Sequence, residues 1–236
     1  MYEIELKAHV HDRKSATETI NSFANYCGTT AKTDTYYHLT ASAPEAAIPS
    51  NPGTQTGTPS ETPASSRTSA VPASSLAPNI PATPARITCR IRHETHTDPR
   101  GGTVTTDYLT YKSKERRTGS DGSAYEVNQE HETTLSDPGA LQKLLLDSGW
   151  TLAYTKTKDV TEWKYDTPYG TAHLELCNVP PLGDFLEIEI VTENCNNEKV
   201  INDTLKELIL KAGLSLSDIE KKYYSELLKE AGVVNV

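Results

Sequence analysis

The sequence predicts an α+β protein in which a curved or closed antiparallel sheet surrounds a charged cavity and turns its apolar face outward against helices. Short segments alternate apolar and polar residues, as strands with two unlike faces do. In seven of these segments the polar phase is charged, and like signs are grouped strand by strand. Four further stretches with helical spacing, each with Ser or Asn near its start, supply the outer layer.

In chain order, Tyr2-Glu3-Ile4-Glu5-Leu6-Lys7-Ala8-His9 puts positions 3, 5, 7 and 9 on one face and Ile4, Leu6 and Ala8 on the other. A helix over residues 15–26, following Ser15, carries Ile20 and Phe23. Ala41 to Arg86 holds nine of the 14 prolines, no aromatic residue and only isolated Ile, Val and Leu. It cannot bury enough apolar surface to offset its ordering entropy, and reads as a disordered or extended insertion, 41–86, interrupting a single domain that spans 1–236. Alternation resumes with Arg90 and Arg92 around Ile91, with Lys112 in phase with Tyr108 and Thr110, and with Glu130 and Glu132. Gly101-Gly102 and Gly119 to Gly122 read as hairpin turns, and Glu94 to Gly102 as a loop that places His93 and His96 at a cavity mouth. Ser136 caps a helix with Pro138 in its first turn, ending before Gly149. Strands follow at Lys156 and Lys158, at His173, Glu175 and Cys177, and at Glu187 and Glu189. A third helix runs from Asn196 through Val200, Ile201, Leu205, Leu208 and Ile209 to Gly213. The last runs from Ser215 or Ser217 through Ile219, Tyr223, Leu227 and Leu228 to Gly232. Trp150 and Trp163 read as packing residues.

Composition narrows the function. The chain has 236 residues with 23 Lys+Arg against 32 Asp+Glu, a net charge of −9 that repels nucleic acid and anionic membranes at long range. It has no long apolar run and is charged from Glu3 onward, so a cytoplasmic protein without membrane spans is expected. Cys27, Cys89, Cys177 and Cys195 are widely spaced and lack a C-x-x-C pair, which reads as reduced thiols rather than a zinc site.

Like charges two residues apart on one strand face repel unless something of opposite sign lies between them. The charged face carries six carboxylates (Glu3, Glu5, Glu130, Glu132, Glu187, Glu189) and six cations (Lys7, Arg90, Arg92, Lys112, Lys156, Lys158). Because that set is balanced, a ligand entering it should be nearly neutral. A triphosphate of about −4 together with two divalent cations meets that condition, the carboxylates holding Mg²⁺ or Mn²⁺ and the Arg/Lys set holding phosphate oxygens.

These residues resemble the CYTH superfamily, the triphosphate tunnel metalloenzymes. Glu3-Ile4-Glu5-Leu6-Lys7 matches its opening E-x-E-x-K signature, and the similarity continues in order through Asp34-Thr35-Tyr36-Tyr37, Arg90-Ile91-Arg92, Leu109-Thr110-Tyr111-Lys112, Glu130-His131-Glu132, Lys156-Thr157-Lys158 and Leu182-Gly183-Asp184-Phe185-Leu186-Glu187-Ile188-Glu189. Tyr223-Tyr224-Ser225-Glu226-Leu227-Leu228 resembles the closing helix of its class IV adenylyl cyclase branch. The resemblance implies a closed eight-stranded antiparallel tunnel with flanking helices. It implies metal carboxylates at Glu3, Glu5, Glu187 and Glu189 with Glu130 and Glu132 opposite, and phosphate-gripping residues at Lys7, Arg90, Arg92, Lys112, Lys156 and Lys158. Lys7, Lys156 and Glu130 are the candidate catalytic residues. Conversion of ATP to cyclic AMP and pyrophosphate is the expected reaction. Hydrolysis of an inorganic or organic (thiamine) triphosphate is the first alternative, and nucleotide or polyphosphate binding without turnover the second. A homodimer is compatible with the sequence. The chain departs from the family in having Cys177-Asn178-Val179 in place of Asp-Glu-Val, Lys158 in place of an Arg, and Asn128 in place of an Arg. Glu175 lies one strand repeat from the missing carboxylate, a larger shift than a metal shell forgives.

Overall fold

The computed structural model describes residues 2–39, 88–119, 122, 124–193 and 196–234, with the backbone alone at 112–114 and 124. The predicted insertion 41–86 and Cys195 fall outside the described residues. The strands are β1 (Tyr2–His9), β2 (Asn25–Leu39), β3 (Thr88–Thr97), β4 (Thr103–Thr118), β5 (Ala124–Leu135), β6 (Trp150–Thr167), β7 (Gly170–Val179) and β8 (Gly183–Thr192). The helices are α1 (Arg13–Asn21), α2 (Pro138–Asp147), α3 (Glu198–Lys211) and α4 (Tyr224–Glu230). All strand pairs are antiparallel, in the order β1-β5-β4-β3-β2-β6-β7-β8, and β1 pairs with both β5 and β8, so the sheet rings round on itself.

The alternation decides which face is which. Ile4, Leu6 and Ala8 of β1, Ala172, Leu174 and Leu176 of β7, and Leu186, Ile188 and Ile190 of β8 turn outward. There they meet Ala16 and Ile20 of α1 and Ile201, Leu205, Leu208 and Ile209 of α3. Each fully buried Leu or Ile contributes about 1.5–3 kcal/mol, so this outer layer is the main apolar core. A second cluster joins Tyr37, Cys89 and Ile91 to Leu141 and Leu145 of α2. Trp163 is buried in the main core and donates its indole N–H to Asn21 Oδ1 at 2.7 Å, while Trp150 packs against the second cluster. The charged phase is left to the inside, the reverse of an ordinary greasy barrel.

Several predicted boundaries move. Helix α1 starts at Arg13 because Asp12, rather than Ser15, is its cap: the Asp12 carboxylate accepts from Ser15 N at 3.0 Å. It ends at Asn21, and residues from Asn25 join β2. Asp137, rather than Ser136, caps α2, accepting from Ala140 N at 3.0 Å. A carboxylate satisfies the same orphan N–H as a hydroxyl and adds its charge at the positive end of the helix. The expected loop after His93 is strand up to Thr97, its backbone paired with both β2 and β4. In β2, Gly28 sits at a register shift with φ 127, and a Cβ there would lie 2.2 Å from Thr97 O, so only glycine fits.

The last predicted helix is three pieces. A 3-10 turn at Leu216–Asp218 gives way to an extended stretch before α4. Along it, Ile219 bridges Ala8, and Glu220 N donates to Lys7 O at 2.7 Å. Among the described residues β5 pairs with β1 from Tyr2 to Glu5, and this stretch takes the edge beyond. Satisfying those backbone groups outweighs continuing the helix, and it delivers Tyr223 and Tyr224 to the inner face.

Candidate functional site

Asp34 is the hub of the inner face. It is completely buried on β2, and β3 and β6 flank it, with Arg92 and Lys156 directly across. Arg92 donates to it through Nε at 2.6 Å and through a terminal nitrogen at 3.1 Å. Lys156 Nζ lies 3.2 Å away and Arg90 3.9 Å. Burial alone would raise the carboxyl's pKa, but the charges of Arg92, Lys156 and Arg90 outweigh it and hold Asp34 well below the usual carboxylate range. Asp34 thereby fixes three of the predicted phosphate-gripping side chains before any ligand arrives.

The predicted carboxylates divide into separate groups, and register is the reason. Across β1 and β8, Glu5 faces Glu189 but Lys7 faces Glu187. Glu3, Glu5 and Glu189 therefore gather, with ligand oxygens within 4.8 Å of one another. Glu187 instead accepts from Lys158 Nζ at 2.7 Å, and its pKa is lowered by Lys158 and Lys156 in spite of burial. Glu130 and Glu132 lie on the opposite wall beside Arg90, at 3.2 and 3.6 Å. Lys112 occupies the β4 position across from Glu130, and its side chain lies outside the described residues.

Of these groups, the Glu3, Glu5 and Glu189 trio fits a divalent cation. Burial, then the charges of Glu3, Glu175 and Glu5, hold the Glu189 carboxyl well above its usual range. A hard dication bound by oxygens would relieve that repulsion. Glu175, Cys177 and Glu187 also bring ligand atoms within 4.8 Å, but two ammonium groups are already there. Lys32 donates to Glu175 at 2.6 Å and Lys158 to Glu187. The Cys177 thiol is pushed well up by burial and by Glu187, so it stays protonated and is a poor ligand.

Lys7, Lys156 and Lys158 converge on one aromatic ring. Their ammonium nitrogens lie 4.3, 4.7 and 5.0 Å from the centroid of Tyr224, which Phe185 meets edge-on at 5.2 Å. Lys7 also donates to Lys222 O at 2.7 Å. The negative face of a ring partly offsets the mutual repulsion of ammonium groups. Replacing Tyr224 with Leu is expected to destabilise the protein by about 2–3 kcal/mol. Tyr224→Phe, which keeps the ring, should stay within about 1 kcal/mol of wild type. Urea unfolding of both variants measures the difference.

Four inner-face residues were missed as site residues although a signal was available for three. Lys32 and Asp34 lie in the same phase as Tyr36, four and two residues back, and Glu94 continues the phase of Arg90 and Arg92. All three belong to the Lys32 and Arg92 network, in which Lys32 is 3.9 Å from both Glu94 and Glu162. Tyr224 had no such signal, because its place depends on the extended stretch that carries it inward.

No family model matches the sequence, and no curated protein matches it. Solved structures do. The PH1819 protein from Pyrococcus horikoshii is 18% identical, with 98% of this chain and 99% of that chain covered at a TM-score of 0.64. A putative adenylate cyclase from Vibrio parahaemolyticus is 14% identical over 97% of this chain and 98% of its own, with a TM-score of 0.58. A putative adenylyl cyclase from Hippeastrum, described as revealing a dominant triphosphatase activity, is 12% identical over 99% and 97%, with a TM-score of 0.51. At these identities the likeness is one of fold. The order of its motifs resembles that of the CYTH superfamily, and its fold is similar to that of these solved structures.

Proposed function

We propose that the protein is a divalent-cation-dependent enzyme acting on a triphosphate, in a tunnel closed by the strand ring, and that its reaction converts ATP to cyclic AMP and pyrophosphate. In this reading 1–236 is one cytoplasmic domain with 41–86 inserted. The observation that supports it is the arrangement of charge on one inner face: the carboxylates of Glu3, Glu5 and Glu189 gather beside Lys7, Lys156, Lys158, Arg90 and Arg92.

Glu3, Glu5 and Glu189 would hold Mg²⁺ or Mn²⁺, which when bound supplies Lewis-acid polarisation of phosphate oxygens. The chain's own groups do the rest. Arg90 and Arg92, held by Asp34, fix the polyphosphate in one pose. Lys7, Lys156 and Lys158 neutralise the charge that develops on pyrophosphate as the bond from the α-phosphorus to its bridging oxygen breaks and the ribose 3′-oxygen bonds to phosphorus, the 3′-hydroxyl proton passing to water. Preorganised cations suit this work because they need not reorient as charge moves.

Hydrolysis is the second reading, favoured by the activity described for the Hippeastrum protein of the same fold. There Glu130, at the end of Arg90, would orient the attacking water. Products formed from ATP, tripolyphosphate and thiamine triphosphate with Mg²⁺ or Mn²⁺, separated by chromatography beside a Glu5→Gln control, decide between them. Cyclic AMP with pyrophosphate is expected. Orthophosphate without cyclic product assigns the hydrolase, and binding without turnover assigns a sensor.

A further inference from the structure

Asn128 is completely buried, and neither its amide oxygen nor its amide nitrogen has a hydrogen-bond partner among the described residues. Burying one unmatched polar group forfeits its hydration, and here one carboxamide leaves both an acceptor and a donor unmatched. Its position is well defined. Tyr125 and Val127 of β5 point outward into the core, so Asn128, in the other phase with Glu126 and Glu130, faces inward. Across β1 and β5 it is the direct partner of Glu3, and directly opposed side chains on one face are neighbours. Glu3 belongs to the trio whose ligand oxygens lie within 4.8 Å of one another.

A lone acceptor would suit a cation and a lone donor would suit an anion. A carboxamide with both ends unmatched suits a ligand that presents a positive centre and an oxygen acceptor side by side, as a divalent cation chelated by a polyphosphate does. We propose that Asn128 is part of the binding site, its Oδ1 a neutral oxygen ligand to the cation held by Glu3, Glu5 and Glu189 and its Nδ2 a donor to an oxygen of the triphosphate on that cation. The inference rests on the reading of the trio as a cation site. It adds to that trio an uncharged ligand, which strengthens the shell without adding to the repulsion at Glu189.

The test is Mn²⁺ titration of the full chain by calorimetry and electron paramagnetic resonance, then inorganic tripolyphosphate titration with Mn²⁺ present. Wild type is compared with Asn128→Leu, Asn128→Asp and Glu5→Gln. Asn128→Leu should weaken Mn²⁺ binding about tenfold and tripolyphosphate binding with it. The same variant should raise the metal-free melting temperature, because it removes two unmatched buried atoms and nearly keeps the volume. That opposition is one a merely structural residue would not produce. Asn128→Asp, which adds a charged oxygen, should tighten Mn²⁺ and carries the test if the Leu variant folds poorly. Mn²⁺ affinities equal to wild type in both variants, with Glu5→Gln weakened, would overturn the role of Asn128 alone. Wild type and Glu5→Gln both failing to bind Mn²⁺ would overturn the cation site and this inference together.

Discussion

Asp34→Asn is expected to destabilise the protein by about 3–5 kcal/mol, the penalty for removing one partner from a buried ionic group. The substitution keeps the shape and removes the charge, leaving Arg90, Arg92 and Lys156 facing one another with burial undiminished. Urea unfolding measures it as a lower midpoint with an unchanged slope. The pH dependence has a definite sign. Asp34 is depressed in the folded state, so its contribution is complete above the unfolded carboxylate value of about 4 and is lost as the pH falls below it towards the folded value. Wild type should lose stability through that acid window, and Asp34→Asn should show a shallower loss. Equal midpoints at neutral pH would mean that the three cations do not depend on Asp34.

Glu189→Gln should move stability and activity in opposite directions. Removing one of three crowded carboxylates relieves repulsion, so the metal-free protein gains about 0.5–1 kcal/mol. The same change removes a ligand of the proposed cation site, and on that reading loss of several kcal/mol of transition-state stabilisation lowers turnover roughly 100- to 1,000-fold. Thermal unfolding without metal and steady-state rates with Mn²⁺ are the paired measurements. A less stable protein that still binds Mn²⁺ as wild type does would place the cation elsewhere. Glu187 makes the contrasting control: it is neutralised by Lys158, so Glu187→Gln should destabilise the metal-free protein because it strands a buried ammonium.

The faces of the strands were legible in the sequence. Glu3, Glu5 and Lys7 are inward and Ile4, Leu6 and Ala8 outward, as alternation requires, and the same holds for Glu187 and Glu189 against Leu186, Ile188 and Ile190. The hairpin turn at Gly101-Gly102 was legible too, since a turn's chemistry is local. The pairing of the charges was not. Glu187 and Glu189 look equivalent in the chain, yet one meets Lys158 and the other meets Glu3 and Glu5. Asn128 looked like the loss of an arginine, and its unmatched amide shows only once β5 is laid against β1. The closing segment read as one helix because its spacing is helical. Its extended stretch arises from the edge of β1, which lies more than 200 residues away in the chain.

Sequence alone determined which side chains of each strand face inward and that this inner face would be charged, because alternation belongs to the backbone and needs no partner. Tertiary structure alone decided which carboxylates gather, which are neutralised, and which aromatic ring stands among the lysines. Those outcomes depend on register, and a slip of one residue between two strands would reassign every cross-strand neighbour while leaving the sequence unchanged.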